Sequence, residues 1–546
     1  MLLKFRVPLA ENYKLVGCYA QTEIGHGSDV QSLETVAEFD VSKDEFILDS
    51  PTVSSAKMWP GDLGIYSTHA MVFAQLRIKG VNHGVQPFLV PIRDMDTHEI
   101  LPGVEAGDIG PKLGYGTKDN GYLRLDKVRI PRENMLMKYC KVSKNGEFKI
   151  VGNEKALYGI MLGVRLIIAG HSFRQLGFAL TIAIRYSLVR TQFKDDTKAE
   201  RKILDYQLQQ EKLFPLLAQF YAMAFASQKV RKMVDENLVK CQSNDFSSLN
   251  ETHVTLAGTK AYYTYAISSG IEKCRLSCGG HGFSHYSGLP AMQQDFAANC
   301  TLEGENTVMY LQVARYLLKM LNKVTKGQPL PGTFEYLNSG IQLLQEQCTA
   351  KTVAEISSID TLRKILIVNV SYLISKAGEI MLQNVSEGAS MKEVWDKKLG
   401  IILVEAARAH TLFFTFKCFS DGLRKIQCEN LRSVMTNLCI LFGINEIMDK
   451  PLGIIESGYL LKEQIRLMHE VKEKLFLEIR PQSIGLVDAN MLSDNTLKSA
   501  LGRYDGKVYE TMFEWAQKEN SFNQKAVAEG MEYIFKMKDV VPQAKL

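Results

Sequence analysis

Proline and tryptophan are scarce in this chain, at 15 and 3 of 546 residues. A Pro-rich disordered chain is excluded. With 46% hydrophobic and 23% charged residues the composition is globular, and the length suits about three domains. Long runs of like charge are absent and the net charge is only +5, so no nucleic-acid arm is indicated. The opening stretch MLLKFRVPLAENYKL has no apolar segment long enough for a signal peptide or a membrane span, and no membrane span is expected. The 10 cysteines form no CxxC pair and no dense framework, which points to free thiols in a reducing or organelle-matrix compartment. Cys274 and Cys278 stand one helical turn apart without a second ligand pair, so core packing explains them better than a metal. Also missing are GxGxxG after a strand, a P-loop, HExxH and GxSxG. The 10 histidines are dispersed, so a metal centre has little support.

What is present changes texture near residue 150. Before it, short apolar runs such as Phe46-Ile47-Leu48, Met71-Val72-Phe73-Ala74-Gln75-Leu76 and Gln86-Pro87-Phe88-Leu89-Val90 are parted by turn residues, among them Lys79-Gly80 and Asn82-His83-Gly84. Such spacing predicts a barrel- or sandwich-like β domain over 18–145, behind a short segment 1–17. From Lys155 onward apolar residues recur at three- and four-residue spacing, as in Leu157, Ile160, Met161, Val164, Ile167 and Ile168. That pattern predicts long amphipathic helices over 150–325. Gly327-Gln328-Pro329-Leu330-Pro331-Gly332 marks a linker over 326–340. A second helical block follows over 341–540. The expected fold is therefore α+β and multidomain, with a β domain followed by two α-helical bundles.

Three glycine-rich segments could carry chemistry. Ala20 to Asp29 (AQTEIGHGSD) offers tight turns, backbone N–H groups and hydroxyls, which suit a heteroatom-rich ring or a phosphate, and equally a surface turn. Cys278 to Gly282 (CGGHG) allows close approach of backbone to a pyrophosphate, or caps a helix. Thr301 to Val308 (TLEGENTV) reads as a helix start, with Thr301 as cap and acids at the positive end of the dipole. On the residues alone, Glu303 stays undecided between a helix-start carboxylate and a base. The end of the chain, Gln543-Ala544-Lys545-Leu546, is close to the SKL peroxisomal address, or is a plain tail.

In order and spacing the three segments resemble the acyl-CoA dehydrogenase and oxidase superfamily. Gln21 within Ala-Gln-Thr-Glu is similar to the peroxisomal oxidase branch, as are Trp59-Pro60-Gly61, Asp108-Ile109-Gly110-Pro111-Lys112, Leu501-Gly502-Arg503-Tyr504-Asp505-Gly506 and Phe513-Glu514-Trp515. The resemblance implies FAD as cofactor, a fatty acyl-CoA substrate desaturated to the trans-2-enoyl thioester, and molecular oxygen reduced to hydrogen peroxide. It implies Glu303 as the catalytic base, with Thr22 and Gly61 at the isoalloxazine. Gly279 and Gly280 fall near the pyrophosphate, and Glu305 and Thr307 where the loop meets the cofactor again. Arg190, Gln192 and Phe193 match the segment that reaches the FAD of a second subunit, which implies a homodimer. Peroxide release suits the peroxisomal matrix and makes residues 544–546 an address for the import receptor. Two other readings follow from the same resemblance. One is a dehydrogenase that hands electrons to a protein acceptor. The other is a truncated, partner-dependent or non-catalytic form, because Thr22 lies 21 residues from Met1, where the family carries an α-helical domain. Met58 and Asp62 depart from the oxidase pattern beside Gly61.

Overall fold

The computed structural model describes residues 2–151, 155–194, 196–520, 523, 531 and 533–537; the terminal tripeptide 544–546 lies outside the described residues. The chain forms two compact units. The first comprises Met1–Leu166, Val234–Leu256 and Ala297–Met309, and the second Ile167–Met233, Ala257–Phe296 and Tyr310–Leu546.

After a helix α1 (Leu2–Glu11), the first unit is built on strands β1 (Gly17–Ala20), β2 (Val36–Asp40), β3 (Glu45–Asp49), β4 (Lys57–Gly61), β5 (His69–Ile78), β6 (Val81–Pro91), β7 (Val104–Asp108), β8 (Asn120–Leu125) and β9 (Val128–Pro131). One sheet has the order β1-β5-β2-β3-β9 with β6 also on β5, and a second has the order β4-β8-β7. Both β1 and β2 run parallel to β5. Lys79 and Gly80 take φ of +50° and +79°, the left-handed pair that a two-residue hairpin needs to match strand twist. Alternation along β5 buries Ala70, Val72, Ala74, Leu76 and Ile78 against Phe46, Leu48, Phe88 and Val90. The Phe39–Phe46 and Phe46–Phe88 rings pack with centroids 5.0 Å apart. Each such buried side chain contributes about 1.5–3 kcal/mol.

Helices dominate the rest: α2 (Lys155–His171), α3 (Phe173–Val189), α4 (Gln207–Gln242), α5 (Leu249–Ser277), α6 (Leu289–Ala297) and α7 (Asn306–Thr325), then a later set that includes Ile359–Ser386, Gly400–Leu423, Glu429–Asp449 and Lys462–Ile479. The expected α+β architecture, strand-rich and then helical, is borne out. In the second unit, glycines let helices close on aromatic rings: a Cβ at Gly443 would stand 2.8 Å from the Phe416 ring, and one at Gly177 2.7 Å from Phe220. His410 is buried, bonded to the Tyr336 hydroxyl at 2.8 Å and stacked on Phe334 at 4.8 Å. Burial pushes its imidazole down to about 3, so it is neutral. Three helical stretches, Gly163–Val189, Ile359–Ser386 and Met391–Leu423, are long and apolar enough to cross a membrane by composition. The fold buries 67%, 50% and 67% of their apolar windows. All 10 cysteines are free. Burial pushes the Cys278 thiol up to about 12 and Cys274 well above its ordinary value, as expected of packing residues.

Candidate active site

The first unit holds one cluster of the expected site residues. The loop carrying Thr22 is anchored by its neighbour Glu23, which is 2% exposed. The Glu23 carboxylate accepts from the Thr35 amide at 2.9 Å, the Glu34 amide at 2.8 Å and the Lys57 ammonium at 2.9 Å. Burial opposes the charge. The Lys57 cation and the donors of Glu34 and Thr35 outweigh it and hold the carboxyl below its usual range. Lys57 completes its donor set on the carbonyls of Gln21 at 3.1 Å and Phe73 at 2.7 Å. The Thr22 carbonyl in turn accepts from the Met58 amide at 3.0 Å, which ties the Thr22 loop to β4.

Between Met58 and Gly61 the pairing of β4 with β8 shifts register. Trp59 takes φ +83° and is 54% exposed, and Asp62 takes φ +66°. Two contacts hold this bulge: Asn120 donates to the Trp59 carbonyl at 2.7 Å, and Lys118 pairs with Asp62 at 2.5 Å. Asp62, a departure from the oxidase-like pattern noted above, is the residue that Lys118 pairs with. Gly61 lets the Lys118 stem pass, since a Cβ there would stand 2.5 Å from Lys118 Cε.

Around Glu303 the structure corrects the expected helix start. Helix α7 begins at Asn306, not Thr301, and the Thr301 hydroxyl turns back to the Ala298 carbonyl at 3.1 Å. Glu305 is the cap: its carboxylate accepts from the Thr307 amide at 2.8 Å, the Val308 amide at 3.2 Å and the Thr307 hydroxyl at 3.2 Å. Glu303 lies outside the helix in a left-handed turn, at φ +58°, followed by Gly304 at φ +111°. That φ of +111° is one that residues with a side chain rarely adopt, so glycine suits the position; the nearest atoms to a Cβ there are the flexible end of Met309. The bland account fits Glu305 and fails for Glu303.

Two further residues bear on Glu303, one by a direct contact and one through its charge. The buried Arg165 of α2 donates through Nε to the Glu303 carbonyl at 3.2 Å. Tyr19 on β1 packs its ring on Phe73 at 4.9 Å and donates to Gln21 Oε1 at 3.0 Å. Burial and the Glu303 charge push the Tyr19 hydroxyl up to about 12. Sequence reading missed both. The available signal was a lone arginine inside the apolar stretch Gly163-Val164-Arg165-Leu166-Ile167-Ile168.

A second cluster belongs to the second unit. Arg190 follows α3 and bonds the Tyr509 hydroxyl, which raises its guanidinium further. Strand Thr191–Lys194 pairs with Glu200–Lys202 through a bulge between Gln192 and Lys194; the Gln192 carbonyl accepts from the Tyr206 hydroxyl at 2.9 Å. There Phe193 stands 77% exposed at φ +55°. Strained, exposed residues of this kind are characteristic of functional segments. Burial and the Arg190 charge push the His281 imidazole of the Gly279–Phe283 turn down. Gly279, at φ +61°, and Gly280 are exposed, and a Cβ at either meets nothing within 4 Å. Backbone so bare fits the approach of a dinucleotide's phosphates. In the first unit, taken by itself, the bulge at Trp59 and Gly61 leaves about half of an indole exposed, which fits a flat ring.

Comparison with known proteins decides the family. Residues 18–128 match the description "Acyl-CoA dehydrogenase, middle domain", residues 158–318 "Acyl-CoA oxidase, C-alpha1 domain", and residues 358–538 "Acyl-CoA oxidase". Peroxisomal acyl-coenzyme A oxidase 1 of Mus musculus is 43% identical over 513 residues, covering 93% of this chain and 78% of the mouse protein.

The chain belongs to the acyl-CoA oxidase family.

The human oxidase 1 is 42% identical over 529 residues, covering 96% of this chain and 80% of its own. Among solved structures, Arabidopsis thaliana acyl-CoA oxidase 1 superposes with a TM-score of 0.94 at 35% identity, covering 98% of this chain and 82% of its own. Acyl-CoA oxidase-2 of Caenorhabditis elegans, solved with FAD, ascaroside-CoA and ATP, gives 0.93 at 35% identity, covering 100% and 81%. As an acyl-CoA oxidase the chain is an FAD-dependent oxidoreductase of peroxisomal fatty-acid β-oxidation. The oxidase matches set aside the dehydrogenase reading.

Proposed function

We propose that this oxidase desaturates a fatty acyl-CoA with Glu303 as the base that takes the α-proton. The observation that carries the reading is the turn itself. Of two carboxylates two residues apart, Glu305 is spent on capping α7, while Glu303 is held in a left-handed turn beside Tyr19 and Arg165. The α-proton of a thioester is weakly acidic, so a carboxylate succeeds only if it is placed against Cα and the developing enolate charge meets fixed donors. The Glu303 backbone N–H is assigned to that oxygen. Thr22, Gly61, Gly279 and Gly280 are assigned to FAD, as are Glu305 and Thr307 through the loop they share. FAD, when bound, supplies the acceptor for the hydride from Cβ and returns the electron pair to molecular oxygen as hydrogen peroxide.

The test is peroxide release from a saturated fatty acyl-CoA in air by the FAD-loaded protein. Glu303→Gln is expected to lower the rate by about 10²–10⁴-fold. Turnover at the parent rate sinks the assignment of the base.

Arg190, Gln192 and Phe193 are further assigned to the FAD of a second copy, so the enzyme is a homodimer; the exposed, strained Phe193 supports this reading. A monomer by sedimentation at micromolar concentration overturns it. The 544–546 tripeptide is assigned to the peroxisomal import receptor, and its deletion is expected to leave the enzyme in the cytosol.

A further inference from the structure

We propose that Arg165 is the positioning residue of the base: its guanidinium clamps the Glu303 carbonyl and thereby holds the left-handed turn that presents the carboxylate. The inference rests on the reading of Glu303 as base.

Arg165 is 3% exposed, the lone cation in an apolar stretch of α2. A buried arginine is costly unless its donors are used. Nε–H points at the Glu303 carbonyl at 3.2 Å, and Nη1 lies 3.5 Å from Nδ1 of His253 on α5. The guanidinium is thus fixed between two elements, and the group it reaches is the backbone of the one residue in the turn that pays for a left-handed φ despite having a Cβ. A hydrogen bond from a charged donor is of the same order as the cost of that conformation. Without it, the 301–304 turn has an incentive to relax to a right-handed φ, which swings the side chain away from its present direction. Because the bond goes to the carbonyl, Arg165 anchors the base through its main chain. The Glu303 charge in return supports the buried cation, whose pKa burial lowers.

The experiment uses the FAD-loaded full chain with Arg165→Met, Arg165→Lys, Glu303→Gln and the double variant Arg165→Met/Glu303→Gln. Peroxide-release kcat and KM, bound-flavin absorbance and a crystal structure of Arg165→Met are the readouts. Arg165→Met is expected to lower kcat by about 10²-fold, the scale of an ångström-sized misplacement, with KM and flavin absorbance nearly unchanged. Arg165→Lys, which keeps the charge and a donor, recovers part of the loss. In the Glu303→Gln background, Arg165→Met costs no further rate, since the group it acts through is gone. Equal losses in both backgrounds overturn the proposal, as does an Arg165→Met crystal structure with Glu303 still near φ +58°. If Arg165→Met does not fold, Arg165→Gln and Arg165→Lys carry the same cycle. Parent turnover in Glu303→Gln sinks the base reading alone, because the turn's geometry in the Arg165 variant is read from the crystal structure independently of rate.

Discussion

Two turns of the first unit, at residues 21–25 and 301–304, each set a glutamate close to a glycine, and they use it in opposite ways. Glu23 is saturated: two amides, the Thr35 hydroxyl and the Lys57 ammonium all converge on it in a buried site. Glu303 sits in strained backbone, and a buried cation holds it by its carbonyl. A carboxylate whose oxygens are filled by fixed donors has its charge committed to the fold. One carried by strain that neighbouring groups over-determine is the kind found at active sites. The contrast teaches that residue type and local glycine content do not separate structure from chemistry; the backbone conformation that carries the carboxylate does.

The comparison can be broken or sharpened by measurement. The largest effect expected is on rate. Glu303→Gln is expected to remove about 3–5 kcal/mol of transition-state stabilisation while leaving the melting temperature in place, and a large melting shift would make Glu303 structural after all. Next is Lys57→Met, which strands Glu23 without its cation. A loss of about 3–5 kcal/mol in denaturant unfolding is expected, and a neutral result would remove the contrast.

Acid sharpens the two units against each other. Folding depresses the Glu23 carboxyl, so its contribution is full above the unfolded carboxyl pKa and is lost as pH falls through the lower folded value. Folding also depresses the His410 imidazole, to about 3, so the unfolded chain takes the proton first. Stability is lost at about 1.4 kcal/mol per pH unit as pH falls from near 6.5 toward 3. Helical signals are therefore expected to weaken in acid before the β-sheet signals do, and His410→Phe should flatten the early limb. The smallest effect is Glu305→Ala, at about 1 kcal/mol for a lost cap. Measuring FAD affinity in the same variant separates a pure cap from a cofactor contact.

Much of this was legible before any coordinates. The short apolar runs from Phe46 to Val90, the turn residues Lys79-Gly80 and the helical periodicity after Lys155 were all readable from local pattern and turn chemistry. The cap was misplaced because Thr301 satisfies the usual N-cap preference and nothing local says that Gly304 unwinds the chain before Asn306. Arg165 was missed because an apolar run is read for its period, and the one residue that breaks its polarity is averaged out.

By itself the sequence determined the order of strands and helices, the family and the short set of glutamates and glycines from which a site could be built. These depend on spacing along the chain, which a linear pattern carries. Only the tertiary structure decided which glutamate caps a helix and which stands in a strained turn, and that Arg165, 138 residues earlier in the chain, holds the latter. Those outcomes depend on donors and acceptors brought together across the sequence, where distance and burial, not spacing, set the energy.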